Sequence, residues 1–327
     1  MNAASMILRG LILGILIAVV CAVGAVADES RRVPRVGTLM FSLTNSPTGE
    51  GLRDGLSELG YIEGKNIVLD SRATGATDQE LRSAAIDLAR AKADLILAGS
   101  TPATRAALEA TTLPIVFLVG DPIAAGFAAS LARPGGRATG VSMLTTELAG
   151  KRLELLRLLV PRARRVCFMM NSANPASALQ FKEAQAAARA LGVQLVSLDV
   201  QATGGIDAAL SRLARSDASG VVVSAEIFFL VNRARIAQAV RKAKLPAIFP
   251  ATEYHDAGVL RTYGPNLRDV GRALAVYVDR VLRGGKPAEL PIEQISKFEL
   301  VVDLREARQL GIEVPDTLLL RADKVIR

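Results

Sequence analysis

Tryptophan is absent, histidine occurs once (His255), cysteine twice (Cys21 and Cys167), and aromatic residues make up only 4% of the 327 positions. Each scarcity narrows the function. One histidine and two cysteines do not supply the clustered donors of a metal site. Two cysteines give no disulfide framework, so the fold must rest on burial. A lone histidine does not by number exclude a Ser-His-Asp triad, but no G-x-S-x-G elbow seats a nucleophile. No G-x-G-x-x-G follows the first strand-like run, which argues against a dinucleotide. "GYIEGKN" (Gly60 to Asn66) resembles a phosphate loop at a glance. It is one residue short between its glycines, ends in Asn, and lies between a helix and a strand, so it reads as a helix end and turn. No catalytic residue, metal or cofactor is expected.

Half of the residues are hydrophobic and 22% are charged, a globular composition. The formal net charge is +8, with basic residues spread along the whole chain. "RRVPR" and "PRARR" lie beside apolar strands without interleaved aromatics, so no nucleic-acid partner is expected. Arg9 is the only charge before Asp28, Gly10–Val26 is almost wholly apolar, and Ala25-Val26-Ala27 has the small-x-small form of a signal-peptidase site. Residues 1–27 therefore read as a cleaved secretory leader, giving a periplasmic protein that begins at Asp28 with net charge +7 (+8 less Arg9). The alternative is a retained membrane anchor, because the uncharged run is near the lower length of a spanning helix. Lipidation at Cys21 is disfavoured by Val20, where a small residue is needed. Cys167, within "RRVCFMM", reads as a small buried core thiol.

The length suggests about two domains. Strand-length apolar runs fall at Arg35–Phe41, Ile67–Arg72, Asp94–Ala98, Ile115–Leu118 and Gly140–Met143, with helical patterns at Gly49–Leu59, Asp78–Lys92, Pro102–Ala110 and Ala124–Ala132 between them. Thr77 and Glu80 form a capping box for the second helix. The rhythm restarts with strands at Val166–Met170, Gln194–Val200, Gly220–Ser224, Ala247–Phe249 and Val259–Tyr263, and helices at Glu147–Leu159, Pro175–Leu191, Ile206–Ser216 and Leu230–Lys244. Such alternation predicts an α/β fold of two doubly wound, Rossmann-like lobes joined by short hinge segments.

Four strand ends share one grammar. "SLTNSPT", "GSTPAT", "VGDPIA" and "NSANPAS" each place a polar residue just before proline: Ser46, Thr101, Asp121 and Asn174. Each alone is a good helix start, an N-cap followed by proline. Together they mark the carboxyl edge of parallel sheets, where ligands bind and where helix N-termini favour an anion such as a carboxylate. Asp121 has no catalytic companion; it reads as a cap or as an acceptor for a ligand amine.

Longer motifs extend this picture. "LRDGLSELGYIEGKNIVLDSR", "PIVFLVGDPIAAGFAASLARPGGRATGVS", "GKRLELLRLLVP", "AAARALGVQL", "TYGPN", "YVDRVLRGGKPAELPIEQISKFELVVDL" and "LLLRADKVI" follow one another in order. In these the chain resembles the substrate-binding proteins of ATP-binding-cassette importers, of the tryptophan and tyrosine type, over nearly all of the part after the leader. The resemblance implies the type I periplasmic-binding-protein fold. Lobe 1 would comprise 34–143 plus 264–292, and lobe 2 would comprise 147–262 plus 295–327. The helix from Asn266 to Arg283 would return to lobe 1, and Lys297–Leu304 would cross back to lobe 2. It further implies capture of a small solute, an amino acid or related carboxylate, by a monomer that serves a membrane permease and its ATPase. A protein feeding a sensor kinase shares these features. A repressor's sensor half would need a DNA-binding module where the leader stands, and an exported enzyme would need the missing catalytic constellation. "MMNSANP" departs from the family, whose members often carry an aromatic there.

Strand-end position and resemblance together give the expected ligand contacts. From lobe 1 these are Ser42, Asn45, Ser46, Ser100, Thr101 and Asp121; from lobe 2, Asn171, Ser172, Asn174, Glu226, Phe228, Thr252 and Tyr254; and Tyr263 at the hinge. Hydroxyls and amides suit a carboxylate, Asp121 or Glu226 an amine, and the aromatic rings an apolar part.

Overall fold

The computed structural model describes residues 32–39, 46–73, 77–201 and 203–327. The leader expected over 1–27 lies outside them. The first lobe alternates β1 (Arg35–Leu39), α1 (Pro47–Glu58), β2 (Val68–Ala73), α2 (Asp78–Arg90), β3 (Leu95–Ala98), α3 (Thr101–Ala110), β4 (Ile115–Val119) and β5 (Ala138–Ser142). The second begins with α4 (Thr145–Leu159) and continues through β6 (Arg165–Met170), α5 (Pro175–Leu191), β7 (Gln194–Asp199), α6 (Ile206–Ala214), β8 (Val221–Val223), α7 (Ile227–Val231), α8 (Arg233–Lys242), β9 (Ala247–Ile248) and β10 (Arg261–Pro265). Then follow α9 (Leu267–Leu282), β11 (Glu293–Gln294), β12 (Phe298–Asp303), α10 (Leu304–Leu310), α11 (Asp316–Leu319) and β13 (Lys324–Ile326).

The first sheet is parallel throughout, in the order β11-β5-β4-β3-β1-β2. Every residue of β3 and β4 is buried, as expected of strands covered on both faces. The side chains divide by parity. Leu95 and Leu97 join Leu52 and Leu56 of α1 and Val270 and Leu274 of α9. Ile96 and Ala98 join Leu81 and Leu88 of α2 and Ala103 and Ala107 of α3. Each such leucine is worth about 1.5–3 kcal/mol of burial.

The second lobe repeats the plan, with parallel order β7-β6-β8-β9. Phe168 and Val222 pack with Leu153 and Leu156 of α4 and Ala184 of α5, whereas Cys167 and Val221 pack with Ile206 of α6 and Ile236 of α8. Cys167 is a buried free thiol whose pKa is raised by that burial. β10 runs antiparallel to β12, which pairs parallel with β13. A bridge from Phe249 to Thr262 continues the sheet from β9 into β10.

Three stretches pass between the lobes: 143–144 after β5, 266 after β10, and 295–297 after β11. The second delivers α9 onto α1. A methyl group placed on Gly51 would lie 1.9 Å from the Arg268 carbonyl oxygen, and one on Gly271 would lie 2.2 Å from that of Thr48. The two backbones touch only because neither residue has a Cβ.

Three local expectations are corrected. The segment 124–132 is a series of turns and forms no helix. Gly126, at φ +76°, breaks the path, and Phe127 is buried against the core instead. The helix expected over Leu230–Lys244 is two helices meeting at Asn232, whose Nδ2 donates to the Phe228 carbonyl. The cap of α3 is Ser100, one residue before Thr101. The capping box of Thr77 and Glu80 forms in both directions, at 2.7 and 3.4 Å. "GYIEGKN" is a helix end and turn, with Gly60 at φ +88°.

Candidate functional site

The carboxyl ends of both sheets face a cavity of about 550 Å³. Its first-lobe wall comes from the start of α2, the turn from β3 into α3, and the end of β4: Thr77, Asp78 and Leu81, then Gly99 to Pro102, then Leu118 to Gly120. Thr48 of α1 and Thr145 of α4 add hydroxyl-bearing residues. Gly120 is required by close approach, since a Cβ there would stand 2.0 Å from Thr145 Oγ1. The second-lobe wall comes from Asn171, Asn174, Gln201, Glu226, Phe228, Asn232 and Tyr254, among others, and Pro265 and Leu267 line the cavity beside the crossing.

Of the fourteen residues expected from sequence, the structure brings Ser100, Thr101, Asn171, Asn174, Glu226, Phe228 and Tyr254 together on this cavity. Ser42 and Asn45 lie outside the described residues. The other five do not line it. Ser46 caps α1 through a bond from Gly49 N, 3.1 Å. Asp121 Oδ1 accepts from Ile123 N and Ala124 N at 3.1 and 2.9 Å, closing a turn. Ser172 is held by Asp199 through its amide and hydroxyl, at 2.8 and 2.7 Å. Thr252 Oγ1 donates to Glu253 at 3.4 Å. The Tyr263 ring lies beside Phe298, 6.3 Å between centroids, while its carbonyl accepts from Arg152 Nε at 2.9 Å.

Thr48, Thr77, Asp78, Thr145, Gln201 and Asn232 were missed. Thr77 and Asp78 had a signal: they follow a strand of the first parallel sheet, as three of the four recognised loops do. Gln201 likewise stands just past β7, where its Nε2 donates to Ser172 Oγ and Asp199 Oδ2. Thr145 and Asn232 sit at helix junctions that apolar periodicity does not reveal.

The second-lobe wall is held from behind. Wholly buried Gln180 clamps Ala225, accepting from its amide at 2.7 Å and donating to its carbonyl at 3.1 Å. Ser177 Oγ accepts from Asn171 N and pairs with Ser224 Oγ. Asn171 Nδ2 donates to Glu226 Oε1 at 2.8 Å, while Glu226 Oε2 has no protein partner. Burial pushes the Glu226 carboxyl up to about 7, against the Asn171 bond and the nearby polar side chains of Asn174 and Ser177, which favour the ionised form. Tyr254 stacks near Phe249 (4.8 Å), and burial raises its hydroxyl above the usual range. Behind it lies Arg152, wholly buried, with both terminal nitrogens unpartnered and its pKa lowered by burial to about 10. The arrangement can bind a small polar solute between two rigid walls. Among the described residues no group of His, Cys, Asp and Glu gathers to hold a metal ion, and no helix is long and apolar enough to cross a membrane.

A family model described as ABC transporter substrate binding protein matches residues 45–326. The chain belongs to that family. It is 25% identical over 266 residues to a tyrosine-binding protein of Clostridioides difficile (strain R20291), covering 81% of this chain and 76% of the relative. A conserved domain protein from Vibrio cholerae O1 biovar El Tor superposes with a TM-score of 0.84 at 25% identity, over 90% of this chain and all of the other. An ABC domain from Streptococcus pneumoniae, solved in complex with L-Trp, gives 0.82 at 25% identity over the same shares. The architecture is the type I periplasmic-binding-protein fold.

Proposed function

We propose that this protein is the extracytoplasmic solute-binding component of an ABC importer, which captures an amino acid or related carboxylate by closing its two lobes and presents it to a permease and ATPase. The observation that carries the reading is the cavity itself. It lies where the strand ends of two parallel sheets meet, with polar groups from both lobes and with Met143, Pro265 and Leu267 of the first two crossings on its lining, the place and form of a solute site in this fold. Family membership and relatives named for tyrosine and tryptophan support the ligand class. In this reading Ser100, Thr101, Thr77 and Thr145 meet the ligand from the first lobe, and Asn171, Asn174, Glu226, Phe228 and Tyr254 from the second. Ser42 and Asn45 are proposed contacts as well. Export through a cleaved leader over 1–27, action as a monomer, and binding without turnover complete the proposal.

A thermal-shift screen of amino acids and small carboxylates tests it. A ligand that binds only the folded state adds about 2.7 kcal/mol at one hundred times its dissociation constant. A hit chemically consumed in excess over protein would overturn the reading.

A further inference from the structure

We infer that the group this cavity recognises first is a protonated amine, held by Glu226 and oriented by Asn171, with the ligand's carboxylate in a secondary role. The inference rests on the capture reading and names the chemistry within it.

The cavity's charge is one-sided. Among the described residues that line it, the charged side chains are Asp78 from the first lobe and Glu226 from the second; no Lys, Arg or His is among them. Residues 40–45, 74–76 and 202 read MFSLTN, TGA and A, and so contain no ionisable side chain. A carboxylate entering this space meets no cation among the described residues of the wall.

Two of the helix-start amides that would suit a carboxylate are already capped within the protein. Ser100 Oγ already accepts from Ala103 N, and Asn174 Oδ1 from Ala176 N. Two arginines, Arg152 and Arg233, act on Tyr254 from outside the lining; Arg152 is wholly buried, and neither is on the cavity wall.

Glu226 is the opposite case. One oxygen is fixed by Asn171 and the other has no partner in the protein. The groups that face the carboxylate are Asn171, Asn174, Ser177, Asp199 and, through its own field, Tyr254; none is a cation. A carboxylate half-buried on a cavity wall without a counter-ion gains a charge-assisted bond from the first ammonium that reaches it. The charge of an ammonium also offsets the desolvation that holds the carboxyl near 7, so binding releases a proton in slightly acid solution. Affinity for an amine should therefore rise between pH 5.5 and 8, a range in which an alkylamine with a pKa of about 10 stays protonated.

The test uses the full chain and three matched libraries, screened by thermal shift and calorimetry: the common L-amino acids, their decarboxylated amines, and their deaminated acids. For whichever side chain binds, the amine should retain affinity within about tenfold of the amino acid, and the deaminated acid should lose at least a hundredfold. Glu226→Gln keeps an acceptor for Asn171, and it should weaken the amine at least tenfold and abolish the pH dependence. The wild-type pH profile carries the same information should the variant misfold. A deaminated acid that binds as well as the amino acid, equal losses for both analogues, or a flat pH profile would overturn the amine assignment and leave solute capture standing. Absence of binding across all three libraries would overturn both.

Discussion

A carboxylate's setting decides its role, and Asp121, Glu226 and Glu253 show three settings. Asp121 spends one oxygen on two backbone amides and does not face the cavity. Asp121→Asn keeps that acceptor, so melting temperature and ligand affinity are expected to stay as in the wild type, whereas Asp121→Ala should lose about 1 kcal/mol in denaturant titration. Glu253 is buried, with Oε2 unpartnered, and burial pushes its carboxyl up to about 7, aided by Asp256. Because the folded state holds this proton more tightly than the unfolded chain, it binds more protons between pH 4.5 and 7. Stability contributed here falls as pH rises through that window and stays low above it. Glu253→Gln removes the cost, and stability at pH 8 should rise by up to on the order of 3 kcal/mol, with little gain at pH 4.5. The sequence placed Asp121 and Glu226 on equal terms as amine acceptors, since both follow strands. It could not show that one would be consumed by its own turn and the other left with an unpartnered oxygen, because that depends on which backbone amides fold back upon it.

At the level of elements, apolar runs of the right length located nearly every strand, since strands covered on both faces, such as β3, β4, β6 and β8, are apolar almost without a break. Helices were less secure where a residue with special freedom intervenes. The small, apolar stretch 124–132 has helical composition, yet Gly126 takes a left-handed path and the burial of Phe127 outweighs local preference. Asn232 divides an otherwise continuous pattern by bonding back to its own helix end. The tightest element contact is between α1 and α9, where Arg268 also reaches Asp54 at 2.8 Å. Gly271→Ala should push the helices apart and destabilise by about 3 kcal/mol or more in chemical denaturation. Gly204→Ala, with open space around the added methyl, should leave the midpoint unchanged.

For the whole molecule, two rounds of strand–helix alternation made the paired lobes legible from residues alone. The later crossings were not, because a helix carries no mark of which sheet it will cover; resemblance to a family suggested them. Half of the expected site residues reach the cavity for the same reason that the fold was readable: parallel strands all end at one edge. Of the residues missed, Thr77, Asp78 and Gln201 also follow strand ends, whereas Thr48, Thr145 and Asn232 come from α1 and from helix junctions, which carry no such mark. Movement between the lobes must bend the three crossings together. Arg152, at the start of the second lobe, donates to the carbonyl of Tyr263 in the strand leading to the next crossing, so the first two are mechanically linked.

The order in which the chain is synthesised meets this topology awkwardly. The first sheet begins at residue 35, but its edge partner Glu293–Gln294 and its covering helix Leu267–Leu282 emerge more than two hundred residues later. The second lobe, in turn, waits for Phe298–Asp303 and Lys324–Ile326. Neither half can close its apolar faces while the ribosome is still working through the middle of the message. A nascent chain that stays open this long presents apolar surface to holding chaperones until its last strands emerge.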